Sequence, residues 1–251
     1  MSTLTLENKS FQTKVKTMNT FIRRIGWMVL LLEVIFHIEA QEYLYEIGGS
    51  LGSSFYMGDA NMNSMVKGYN PSFGAVFRYN TNFRWSLKAN LLGGKLSGST
   101  EGLENVFPVG INTSFDRSFV DLGGQAEFNF WPYGDKFVYR GTKRIAPYFL
   151  GGIGLTMATG GAKSFFGPHI SLGLGVKYKL KPRLNLGIEF SFRKLFSDGL
   201  DVTDDDNAWL DSPYKISGSV WKNKDWYGLL NFTITWNFGK RKKPCNNIDC
   251  M

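Results

Sequence analysis

Leu184-Asn185-Leu186-Gly187-Ile188-Glu189-Phe190-Ser191-Phe192 alternates throughout: the apolar residues fall on one parity, and Asn, Gly, Glu and Ser on the other. A period of two is the signature of a β-strand, whose successive side chains leave opposite faces. The stretch before it behaves in the same way. Over 168–180, Ile170, Leu172, Leu174, Val176, Tyr178 and Leu180 share one parity, and Lys181-Pro182 leaves room only for a tight turn. Two alternating runs joined so briefly make an antiparallel hairpin.

Working outward, the same period recurs from Tyr43 onward, in segments near 43–52, 72–80, 82–92, 118–130, 146–157, 168–180, 183–194 and 226–238. The first sets Tyr43, Tyr45, Ile47 and Leu51 on one face, and the last sets Trp226, Leu230, Phe232, Ile234, Trp236 and Phe238 together. The opposite parity is polar or small, with Glu46, Arg78, Arg84, Lys88, Asp121, Glu127, Lys177, Glu189 and Arg193 along it. A soluble sandwich turns such a face to water. A barrel in lipid inverts the arrangement and puts the apolar side chains outside. The segment lengths suit tilted strands that cross a bilayer, and aromatics gather at segment ends as an interfacial girdle requires. The expected fold is therefore all-β: an eight-stranded antiparallel transmembrane β-barrel, closed, its lumen filled by side chains. Inward charges in so narrow a space must pair, since an isolated buried charge is very unfavourable.

The connections predict an orientation. Those after the second and sixth segments are short, while 53–71, 93–117 and 195–225 are long. Bacterial outer-membrane barrels have short periplasmic turns and longer outside loops, so an even strand count puts both chain ends in the periplasm. The link 131–145 is the exception, a candidate periplasmic contact surface.

The N-terminus reads as an export signal. Arg23 and Arg24 precede a mostly apolar run from Ile25 to Ile38, and Ala40-Gln41 is a plausible cleavage point. Glu33 and His37 interrupt the run, and Met18 is an alternative start. Residues 1–40 are thus the upstream segment plus signal peptide, 41–239 the barrel, and 240–251 a periplasmic tail. Removing 1–40 takes away five basic and three acidic residues, lowering the net charge from +8 to +6. No basic stripe accompanies a nucleic-acid motif, so nucleic acid is not an expected partner. The tail holds Lys240, Arg241, Lys242 and Lys243, then Cys245 and Cys250, the chain's two cysteines. In an oxidising compartment these pair with each other or with a partner's cysteine. The tail is the candidate partner-binding element, and a solvated basic rim beside anionic lipid is its plain alternative.

Several stretches resemble a Bacteroidetes outer-membrane barrel family that includes PorG, a type IX secretion component. They are 45–52 (YEIGGSLG), 56–61 (YMGDAN), 71–80 (PSFGAVFRYN), 85–90 (WSLKAN), 147–154 (PYFLGGIG) and 184–190 (LNLGIEF). Arg193, Phe196, Asp198 and Leu200 to Val202 follow the pattern of the loop after the seventh strand. The likeness runs over about 43–202, with weaker support to 238. It implies a barrel in the outer membrane associated with periplasmic ring proteins, a PorK-like lipoprotein and a PorN-like subunit, and it supplies no catalytic residues and no cofactor. Two departures stand out. Thirteen residues follow Phe238, the natural terminal aromatic, and Asp204-Asp205-Asp206 lacks the glycine and distal glutamate of an EF-hand loop.

Two other functions compete. A general structural or adhesive barrel would bind through its long outer loops. A lipid-modifying enzyme would need a nucleophile and a base within hydrogen-bond reach. Its only candidates are Ser171, His169 and Asp121, brought together by spacing alone. No enzyme activity is expected, and neither a cofactor nor a metal.

Overall fold

Alternating sequence becomes a closed sheet. A computed structural model of the chain describes residues 43–57, 68–99, 114–134, 141–161, 163–197, 199–200 and 225–240. Its strands are β1 (Tyr43–Met57), β2 (Asn70–Asn80), β3 (Trp85–Ser99), β4 (Ser114–Asn129), β5 (Ile145–Thr159), β6 (Phe165–Lys181), β7 (Leu184–Leu195) and β8 (Trp226–Lys240). Each pairs antiparallel with its sequence neighbour. The sheet closes where β1 meets β8, in register from Tyr43 opposite Lys240 to Met57 opposite Trp226. Closure removes every sheet edge, the condition for a β-structure to survive in hydrocarbon.

The pleat sorts the side chains inside-out. Leu51 and Ile153 are each 70 % exposed on the outer wall, whereas Glu46, Asp121, Glu127 and Arg193 are fully enclosed. Burying ionised groups while exposing leucine would be ruinous in water, and it is the stable arrangement when the outer solvent is lipid. Phe130, Phe232, Ile234 and Trp236 lie on the outer face, and Lys88 and Glu189 on the inner one, as alternation predicts. The barrel therefore spans a membrane.

One rim of the barrel, here the turn rim, carries both strand ends Tyr43 and Lys240 and the connections 81–84, 130–144 and 182–183. The opposite loop rim carries 58–69, 100–113, 160–164 and 196–225. Just below the turn rim, Tyr45 packs on Tyr79 and Phe238 with ring centroids 5.6 and 5.4 Å apart, and Trp85 lies 5.0 Å from Phe128. These rings mark one interfacial level.

Several bounds differ from those expected. β3 starts at Trp85 rather than at 82, because residues 81–84 form a turn. The Asn82 Oδ1 accepts from the backbone N–H of Arg84 (2.8 Å) and Trp85 (2.7 Å), and the N–H of Thr81 donates to the Trp85 carbonyl (3.1 Å). An Asn side chain that captures backbone donors favours a turn over a continuing strand. Arg84 consequently sits exposed at the rim and not in the lumen. β1, β3, β4 and β6 run further towards the loop rim than the alternation suggested. β8 continues through Lys240, so this residue belongs to the barrel rather than to the tail.

Candidate functional site

The lumen is the one enclosed chemical environment that the described strands create, and its contents form layers. Near the turn rim, β1, β2, β3, β4, β6 and β7 each contribute one side chain to an ion-paired set of six, and β6 adds a further inward cation, Lys179, whose Nζ donates to the Pro182 carbonyl (3.3 Å). The carboxylates of the set are Glu46, Glu127 and Glu189; its cations are Arg78, Lys88 and Lys177. Glu127 is the hub. It accepts from Arg78 Nε (2.7 Å), Arg78 Nη2 (3.2 Å) and Lys177 Nζ (2.5 Å), with Lys88 Nζ at 3.4 Å. Arg78 Nη1 bridges to Glu46, which also accepts from Asn80 (2.9 Å) and Thr235 (3.0 Å). Lys88 reaches Glu189 at 2.5 Å, and the Tyr148 hydroxyl donates to the same oxygen at 2.7 Å. Equal numbers of charges and nearly complete hydrogen bonding are what a buried ionic network needs to be tolerated.

Glycine makes the space. A Cβ on Gly175 would stand 2.5 Å from the Tyr148 ring, and one on Gly154 would stand 2.6 Å from the His169 ring. These two glycines are thus recesses for neighbouring aromatic side chains.

The next layer centres on Asp121. Its Oδ2 accepts from Tyr227 OH (2.6 Å) and from Arg193 Nε (3.1 Å). His169 Nδ1 lies 3.0 Å from Thr156 Oγ1, and its Nε2 is 3.4 Å from Asp121 Oδ2. Ser171 does not turn to His169; its hydroxyl accepts from Gln125 Nε2 at 3.2 Å. The spacing-based trio therefore brings His169 and Asp121 together and leaves Ser171 with another partner. All three are enclosed by the barrel wall.

Beyond Asp121 the interior becomes mainly apolar, with an enclosed cation, Arg117, whose Nη2 donates to the Lys163 carbonyl at 2.7 Å. Leu92 and Leu96 of β3, Phe115 and Phe119 of β4, Leu195 of β7 and Leu229 of β8 pack with Tyr56, Ala158, Phe165, Tyr227 and Leu200. Strand alternation alone does not predict this plug. The signal for it was parity: Leu92 falls on the face of Lys88 and Asn90, and Phe115 and Phe119 on that of Asp121. Above the plug, Asp225 accepts from the Tyr56 hydroxyl (2.5 Å) and from the Leu200 N–H (2.9 Å), tying the end of the last connection to the interior.

The described residues of the long link between β4 and β5 reach into the opposite mouth. Its residues Tyr133 and Lys143 form an isolated bridge, and the buried Tyr133 donates its hydroxyl to Asn185 Oδ1 at 2.9 Å. Lys177 and Lys179 stand 5.9 and 5.6 Å from the Tyr133 ring centre. The link thus sends one aromatic side chain into the lumen and presents Trp131, Lys143 and Arg144 outward.

Of the tail residues singled out in the sequence, the described part includes only Lys240, and of it only the backbone pairing. Arg241, Lys242, Lys243, Cys245 and Cys250 lie outside the described residues, as do Ala40, Gln41 and Asp204 to Asp206. Among the described residues no group of three or more metal-ligating side chains assembles.

A family model described as a domain of unknown function, DUF6089, matches residues 23–248. The chain belongs to the DUF6089 family. That match takes in the barrel and the sequence flanking it on both sides. No curated protein matches the DUF6089 chain. Among solved structures it is similar to the N-terminal β-barrel domain of Pseudomonas aeruginosa OprF, at 10 % identity and a TM-score of 0.42, covering 80 % of this chain and 100 % of that one. It is similar to Neisserial surface protein A at 15 % identity and 0.43, covering 77 % and 97 %. It is similar as well to the P. aeruginosa outer membrane protein OprG at 13 % and 0.41, covering 80 % and 98 %.

Proposed function

We propose that this DUF6089 barrel is a non-enzymatic outer-membrane scaffold of the type IX secretion machinery, holding periplasmic ring proteins to the membrane. The observation that carries the scaffold part is the filled lumen. A hydrogen-bonded ion-pair network, a mainly apolar plug and the Tyr133 side chain occupy the interior. A barrel so filled offers no wide conduit, and its carboxylates and His169 face one another rather than a substrate. Its surfaces are left to act. The secretion assignment rests on the likeness to the PorG-containing family, and PorK-like and PorN-like proteins are the partners it suggests.

In this reading an export signal is removed between Ala40 and Gln41, the turn rim faces the periplasm, and the strand end Lys240 with the tail from Arg241 to Cys250 meets the ring proteins. Cys245 and Cys250 pair with each other or with a partner's cysteine. The test is a deletion strain together with affinity purification of the full barrel. Loss of a class of secreted cargo, and co-purification of a periplasmic lipoprotein, support the proposal. Normal secretion in the deletion strain with altered lipid A would replace it by an enzyme.

A second reading, an adhesive barrel, draws on a different observation. The strands lengthen towards the loop rim, where the apolar plug stiffens the wall from within. That is a firm base for ligand-binding loops. Exchanging the 100–113 connection for a short turn should abolish surface binding in this reading and leave secretion intact in the first.

A further inference from the structure

The sequences of the connections at the two ends of the strands differ in charge. The turn-rim connections 81–84, 130–144 and 182–183, with the flanking residues 41–42 and 241–251, carry nine Lys and Arg against three Asp and Glu. The loop-rim connections 58–69, 100–113, 160–164 and 196–225 carry ten Asp and Glu against five Lys and Arg. Among the described residues of the turn rim, Arg84, Lys143, Arg144, Lys181 and Arg183 are exposed, and every carboxylate is enclosed in the lumen.

Four of these cations share an arc. Lys143 and Arg144 end the β4–β5 link, and the Arg144 carbonyl accepts from the Lys179 N–H at 2.7 Å, which fixes the link beside the end of β6. Lys181 is the last residue of β6, and Arg183 lies in the turn that follows. Two are braced by rings: Lys143 Nζ stands 4.5 Å above Trp131, and Arg183 stacks over Tyr43 while donating to its hydroxyl at 3.3 Å. The apolar outer wall begins directly below, with Ile145, Tyr178 and Leu180 exposed. Cations on that level, above an aromatic girdle, stand where lipid phosphates lie.

We propose that the arc Lys143, Arg144, Lys181 and Arg183 is a binding seat for the phosphate headgroups of anionic phospholipid in the leaflet at the turn rim. The seat anchors the barrel at a fixed depth. The proposal rests on the membrane-barrel reading and is independent of the secretion role. Each cation near an anionic surface strengthens attachment by roughly fivefold.

The test uses the full chain, folded in mixed micelles of phosphatidylglycerol and phosphatidylcholine, with retained lipid counted by native mass spectrometry. The seat predicts preferential retention of phosphatidylglycerol. A K143Q/R144Q/K181Q variant should lose that preference by at least roughly tenfold, and a K95Q/K163Q variant at the loop rim should keep it. Migration shift on heating reports whether each protein is a folded barrel, so failure of the membrane reading is visible separately. If the triple variant does not fold, K143Q and R144Q singly should each lower the preference by about fivefold. Equal retention of both lipids, equal loss in the loop-rim variant, or displacement of the lipid by dilute inorganic phosphate would overturn the proposal.

Discussion

The half of the lumen near the turn rim and the half near the loop rim solve one packing problem with opposite chemistry. On the turn-rim side of Asp121, six charges pair with one another around Glu127, and Lys179 is held by the Pro182 carbonyl. On its loop-rim side, Leu96, Phe119 and their neighbours fill the space mainly with hydrocarbon and aromatic rings, and Arg117 is an enclosed cation. Both halves are wrapped by the same eight strands, and both present apolar side chains to the outside. The difference teaches that the outer wall is dictated by lipid, whereas the inner wall needs only to be full and internally satisfied. The charged half is directional and intolerant of a missing partner. The apolar half tolerates shape changes better and depends on volume.

The largest contrast should come from removing the hub. Glu127→Gln leaves Arg78, Lys88 and Lys177 facing one carboxylate fewer, and breaking such a buried set costs about 3–5 kcal/mol. Urea unfolding of the bilayer-reconstituted barrel, followed by tryptophan fluorescence, measures the loss. A double change, Arg78→Met with Glu127→Gln, should recover part of it; strictly additive losses would mean the network is not coupled.

On the apolar side, Leu96→Ala removes packing without stranding a charge and should destabilise by about 2–4 kcal/mol. The decisive feature is its independence from Glu127→Gln, checked in the same unfolding assay. Strong coupling between the two would mean that the layers act as one.

The outer wall gives a third comparison. Ile234→Arg puts a charge on the lipid face of β8 and should cost about 2–4 kcal/mol near the midplane. Insertion into vesicles should slow accordingly. An unchanged stability would place this face in water.

The smallest effect belongs to Tyr133 at the turn rim. Tyr133→Phe keeps the ring in the lumen and deletes its hydrogen bond to Asn185, worth about 1 kcal/mol. Faster amide exchange confined to residues around 131–134 and 141–144 is the expected readout.

These layers were unevenly legible in the sequence. The strands were readable because Leu184 to Phe192 and its counterparts alternate cleanly, and lipid contact forces that pattern on the outer face. Pairing of the inward charges was readable too, since a narrow lumen leaves Glu127 and Lys88 no water. The apolar plug was hidden because Leu91-Leu92 and Phe119-Val120 look like unbroken hydrophobic runs, in which one member faces out and the other in. The turn at 81–84 was hidden because Phe83 and Trp85 continue the alternation, while the Asn82 side chain overrides it. Tyr133 could not be found by period at all: a link outside the strands has none, and its insertion is decided by the space left between Asn185 and Lys177.

The central claim is that the chain is an inside-out barrel with lipid around it and an interior filled by side chains, ion-paired near the turn rim and mainly apolar beyond Asp121. The most direct test labels single cysteines in a Cys245→Ser/Cys250→Ser background, in sealed vesicles. Ile153→Cys and Phe232→Cys should react with a membrane-dissolved maleimide and resist a charged, water-soluble one, and Ser50→Cys on the inner face should resist both. Rapid reaction of Ile153→Cys with the water-soluble reagent, in a barrel that still migrates as folded, would contradict the account.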